Sequence, residues 1–137
     1  MVDSQRKGAA GEREFIKEVE RLIPGLTLFR NTYQQRVESH HSDVLGVPGF
    51  AVEVKRYGKA TTDWYQSAWW TQACDAAERV NAIPLLGYRY NHRPWRAVVP
   101  WDFRDTHHPV VCDLAVVCER INETLTLLTE RYNDANE

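Results

Sequence analysis

The 137-residue sequence has no apolar run near the roughly 18–20 residues that a membrane span requires. Its opening, MVDSQRKGAAGEREF, lacks the apolar centre of a secretory signal, so none is expected. Cysteine is scarce: Cys74, Cys112 and Cys118 are an odd set without metal-type pairing, and they read as reduced, buried thiols of a cytosolic protein. Basic charge is not in excess either. The formal net charge is -2 and the pI about 6.2, whereas most DNA-binding domains are basic. There is no internal repeat, low-complexity segment or linker. What is present is an ordinary globular balance, 43% hydrophobic and 26% charged, at a length that suits one compact domain over residues 1–137.

Periodicity orders the chain. Phe15, Ile16, Val19, Leu22 and Ile23 recur at helical spacing, predicting a helix over residues 4–23 that Pro24-Gly25 ends. Residues 26–29 read as a first strand, and residues 31–42 as a polar connection. Val47-Pro48-Gly49-Phe50 suits a type II turn, so SDVLGVPGFAVEVKRY reads as a hairpin. Its second strand, residues 50–56, points Phe50, Val52 and Val54 one way and Ala51, Glu53 and Lys55 the other. A helix over 63–80, strands over 82–89 and 95–99, and a helix over 113–132 with a fraying end follow. Pro100, Pro109 and a polar loop separate the last strand from the last helix. The sum is an α/β domain with a small mixed sheet flanked by helices.

The hairpin raises the chemical question. Asp43 starts one strand and Glu53 lies in the next, about 5 Å away in a paired hairpin. Two adjacent carboxylates repel unless a cation joins them. Mg²⁺, with Mn²⁺ as a substitute, prefers such oxygen ligands, and the Val54 carbonyl offers another. Lys55 projects to the face of Glu53, where its ammonium could hold a phosphate oxygen or a water. This set suits metal-assisted phosphodiester hydrolysis. The plainer alternative is a solvated strand face carrying a surface ion pair.

Asp43, then Glu53-Val54-Lys55 on an alternating strand, resembles the PD-(D/E)xK nuclease motif, with Ser42 standing where the motif has Pro. The resemblance implies a restriction-endonuclease-like fold, metal binding by Asp43 and Glu53, and assistance from Lys55. Gly8-Ala9-Ala10-Gly11-Glu12 is similar to the first-helix segment of small archaeal Holliday junction resolvases and related phage nucleases, whose Glu completes the metal site; Glu12 matches it. The two helix glycines call for compensation by a close approach. Without the family, Glu12 reads as an exposed helix residue. In these nucleases a Gln on the helix after the motif faces the site. Gln72 is the candidate and Gln66 its rival, and an edge-of-core position is the alternative. The likeness spans about residues 4–99.

The resemblance implies a homodimeric endodeoxyribonuclease of a prokaryotic or phage-infected cell that acts on branched DNA. Another branched or flapped DNA fits the same residues. Arg6, Lys7, Arg56 and Lys59 would track the DNA backbone, and Arg30 either contacts phosphate or is a surface residue. The pairs His40-His41 and His107-His108 are poor chelators, since neighbours on a strand point apart. Trp64, Trp69, Trp70, Trp95 and Trp101 read mostly as core or interface residues, with base stacking as the alternative. The competing function is a noncatalytic DNA-binding or assembly module on the same scaffold.

Overall fold

The computed structural model describes residues 8–32 and 42–136. Its elements are α1 (Gly8–Leu22), β1 (Phe29–Arg30), β2 (Val44–Leu45), β3 (Phe50–Arg56), α2 (Ser67–Arg79), β4 (Ile83–Arg89), β5 (Arg96–Pro100), β6 (Pro109–Asp113) and α3 (Leu114–Ala135). The strands form one sheet in sequential order. β3 and β4 are parallel, and the other neighbours are antiparallel. A parallel pair needs a crossover, which α2 supplies. The expected α/β architecture with a mixed sheet is therefore present. Arg6, Lys7, His40 and His41 lie outside the described residues.

The sheet is covered on both sides. On one face Phe15 and Val19 of α1, with Leu114, Val117 and Ile121 of α3, pack against Val52, Val54, Leu85 and Ala97. Phe15 is fully buried, which favours folding by about 1.5–3 kcal/mol. On the other face Trp69, Trp70 and Ala73 of α2 cover Leu86, Tyr88 and Val98. The small side chains of Ala73, Ala76 and Ala77, all buried, let α2 lie close to the strands. Trp95 joins the first cluster, so three of the five tryptophans are core residues, while Trp64 and Trp101 are exposed. Cys118 is buried and its thiol is pushed up to about 12 by desolvation; Cys74 and Cys112 are half-buried.

Several boundaries differ from the sequence pattern for local reasons. The first strand begins at Phe29, because the Leu28 N–H donates to the Glu20 carboxylate at 2.9 Å instead of to a strand. α2 starts at Ser67 and not at residue 63, because the carbonyls of Asp63 and Trp64 accept the hydroxyls of Tyr88 and Tyr90. β6 replaces the loop expected around Pro109. As the first residue of an edge strand, Pro109 leaves no ladder donor missing from the interior. α3 continues past Tyr132 to Ala135.

Candidate active site

The hairpin closes as its turn sequence requires. The Phe50 N–H donates to the Val47 carbonyl at 3.1 Å, and Gly49 has a φ of 83°, the left-handed value that a type II turn places there. Asp43 sits just before β2. Its N–H donates to the Val52 carbonyl at 2.8 Å, although Val44 is in register with Val52. Two consecutive residues thus address one on the partner strand, the arrangement of a β-bulge, which re-aims side chains. The Asp43 carboxylate is aimed along β3, where Oδ2 accepts the Val54 N–H at 2.8 Å. The N–H and C=O of a strand residue share one edge, so the Val54 carbonyl lies on the edge that Asp43 occupies. Asn31, buried, fixes the backbone there: its N–H donates to the Asp43 carbonyl and its amide to the Ser42 carbonyl, both at 3.0 Å.

Glu53 and Lys55 lie under α2, not on a solvated face; they are 2% and 7% exposed. Glu53 helps line a cleft of about 330 Å³ with Thr71, Gln72, Asp75 and Arg79 of α2. The Lys55 Nζ donates to Gln72 Oε1 at 2.7 Å. Of the two glutamines, Gln72 therefore meets the motif, while Gln66 is the N-cap of α2 and lines a different groove. Thr71, Asp75 and Arg79 were not singled out from the sequence. Their signal was available as a polar stripe at spacings of four along α2.

Glu12 is buried, not exposed, on α1, which packs against the opposite sheet face from α2. Its Oε1 accepts Arg30 Nε at 2.9 Å, so Arg30 is engaged in an ion pair with it. Among the described residues, no three His, Cys, Asp or Glu side chains gather closely enough to hold a metal ion. The carboxylates of Asp43, just before β2, and Glu53 on β3, with the Val54 carbonyl, are the oxygen donors of this hairpin. That set fits Mg²⁺, which is commonly held by one or two carboxylates and keeps several waters.

The basic residues divide. Arg56 is buried, and its Nε donates to Glu14 Oε2 at 3.1 Å; Arg89 pairs with the same carboxylate. Arg56, expected from the sequence to track a DNA backbone, has its guanidinium placed between α1 and the sheet, which it ties together. Its stem is also the close neighbour that the first helix requires, because a Cβ on Gly11 would stand 2.3 Å from Arg56 Cβ. Lys59 is exposed and lines the groove beside Gln66. His107 and His108 are exposed, with His108 Nδ1 beside Asp105 Oδ2.

A six-stranded mixed sheet with Asp, Glu and Lys around one hairpin defines a protein of the PD-(D/E)xK superfamily. A family model described as phage putative PDDEXK endonuclease matches residues 3–111, and the chain belongs to that family. Its fold is similar to that of Archaeoglobus fulgidus Hjc, a Holliday junction resolvase from an archaeal hyperthermophile. The TM-score is 0.52 at 18% identity, over 80% of this chain and 97% of that one. No curated protein matches the sequence. Family and fold together support a nuclease.

Proposed function

We propose that the protein is a metal-dependent endonuclease that hydrolyses phosphodiester bonds in DNA, with branched DNA as its substrate, and that it works as a homodimer. The observation that carries this reading is the bond from Lys55 to Gln72 beside Glu53, on the strand whose edge holds Asp43. A buried lysine and two buried acids on one hairpin are expensive to desolvate and make sense as a site for charged chemistry.

Asp43, Glu53 and the Val54 carbonyl would hold Mg²⁺, or Mn²⁺ in its place. When bound, the cation supplies Lewis-acid polarisation of the scissile phosphate. Lys55 sets its positive charge against the charge that grows on the phosphate oxygens, and Gln72 holds the ammonium in place. Glu12, which is paired with Arg30, would serve as a further carboxylate donor on giving up that pair. Lys59 contacts the DNA backbone, and Arg6 and Lys7 would do so from the chain's start. The dimer reading rests on the outer half of α3, where Leu127, Leu128 and Tyr132 are exposed.

Incubation with four-way, flapped and linear DNA in Mg²⁺ or Mn²⁺, beside a Lys55→Ala variant, tests the reading. Metal-dependent nicking that is lost in the variant is expected. Binding without cleavage in either metal overturns the enzyme in favour of a binding module.

A further inference from the structure

The loop between β3 and α2 presents an aromatic surface that phosphodiester hydrolysis does not use. Trp64 is 58% exposed, with its indole stacked on Tyr65 at a centroid distance of 5.5 Å and an interplanar angle of 29°. Tyr57 is stacked on the buried Trp69 at 5.0 Å and 26°. Between them runs a groove of about 710 Å³, also lined by Tyr90 and by Lys59.

The loop is firmly held. The hydroxyls of Tyr88 and Tyr90 donate to the carbonyls of Asp63 and Trp64, each at 2.8 Å. The Asp63 carboxylate accepts Arg96 Nε from β5 at 2.9 Å. Burial and the nearby Asp63 carboxylate push both tyrosine pKa values up, so these hydroxyls remain donors. These three bonds fix the loop backbone that carries Trp64, so its exposed indole stands at a defined place beside the groove.

The groove also has an address. Tyr57 follows Glu53 and Lys55 on the same side of one extended segment, about 7 Å beyond Lys55. Aromatic faces with a lysine among them match the chemistry of a nucleic-acid strand, in which bases stack on the rings and a phosphate meets the ammonium. A base inside a duplex already has both faces covered, so the complementary ligand is unpaired.

We propose that the groove formed by Tyr57, Lys59, Trp64, Tyr65 and Tyr90 binds unpaired bases of a DNA strand, selecting substrates with a single-stranded segment beside the scissile phosphate. Its position relative to the cut rests on the endonuclease reading; the binding of unpaired bases does not.

Fluorescence anisotropy of the full chain in EDTA, with labelled oligo-dT and a blunt duplex as probes, tests the groove. Oligo-dT is expected to bind more tightly than the duplex. Trp64→Ala lowers oligo-dT affinity by about tenfold, as for the loss of one stacking platform, and Trp64→Phe retains most of it. Unchanged oligo-dT affinity in Trp64→Ala overturns the proposal. If that variant instead becomes monomeric with oligo-dT affinity intact, the surface is a contact between copies and the proposal also falls. Parallel cleavage assays in Mg²⁺ separate the two readings. A protein that never cleaves but loses oligo-dT binding in Trp64→Ala keeps the groove and not the nuclease. A protein that cleaves, and binds oligo-dT equally with and without Trp64, keeps the nuclease and not the groove.

Discussion

Lys55 on β3 reaches Gln72 on α2 through a 2.7 Å hydrogen bond that crosses between two layers of the fold. Lysine is a point charge on a flexible stem, and its ammonium acts on a phosphate only where something fixes it. α2 provides that fixture because its buried alanines bring the helix close enough for a glutamine to span the gap.

The first prediction separates charge from position. Lys55→Ala lowers the single-turnover cleavage rate by about 10²–10³-fold, the range for loss of one preorganised stabilising donor. Gln72→Ala keeps the charge but releases it among rotamers, and it lowers the rate by about tenfold, or roughly 1.4 kcal/mol. Gln72→Glu sets a carboxylate against the ammonium and is expected to be slower still. A Gln72→Ala loss that exceeds that of Lys55→Ala, or adds to it in the double variant, would show that Gln72 does more than hold Lys55.

Asp43 has two duties that can be pulled apart. It accepts the Val54 N–H, and it is proposed to bind the cation. Asp43→Asn retains a carbonyl acceptor for that N–H and is expected to melt close to the wild type. Asp43→Ala leaves the N–H without its acceptor at a buried position and destabilises by about 1–3 kcal/mol. Both variants lose Mn²⁺ binding in a calorimetric titration. Metal binding that survives Asp43→Asn removes Asp43 from the donor set.

Much of this site was legible because its signals are local. Pro48-Gly49 fixes the turn, and alternation along residues 50–56 puts Glu53 and Lys55 together on one side of β3. Alternation cannot say whether that side meets water or a helix; the packing of α2 over Glu53 and Lys55 decides it. The Glu12–Arg30 and Glu14–Arg56 pairs join residues 18 and 42 positions apart, and no local pattern announces them. β6 was hidden by Pro109, whose usual role as a strand breaker is suspended at a sheet edge.

The glycines of α1 are predicted to behave oppositely. At Gly11 an added Cβ meets Arg56 Cβ at 2.3 Å, so Gly11→Ala forces α1 off the sheet and destabilises by about 1–3 kcal/mol. At Gly8, the first residue of α1, nothing lies within 4 Å, and Gly8→Ala is expected to stabilise slightly, by less than the roughly 1 kcal/mol of an interior helix position. Urea denaturation resolves the two signs. A neutral Gly11→Ala would mean that α1 does not seat on Arg56 in solution.

Arg56 and Lys59 are three residues apart, and their substitutions should report on different properties. Arg56 is buried and paired with Glu14, whose side chain is 34% exposed. Arg56→Ala is therefore expected to destabilise by about 2–3 kcal/mol, less than the 3–5 kcal/mol of a fully buried pair because Glu14 is partly screened by water. Its effect on DNA affinity, measured on the folded fraction, should be small. Lys59→Ala should leave the melting temperature almost unchanged, as exposed substitutions do. It should also reduce the slope of log K against log salt by about one, as for one lost phosphate contact. The two measurements form a crossed pair. If Arg56→Ala melts like the wild type and flattens the salt slope, its guanidinium leaves Glu14 for the DNA, and the ion pair that ties α1 to β3 is not the residue's main role.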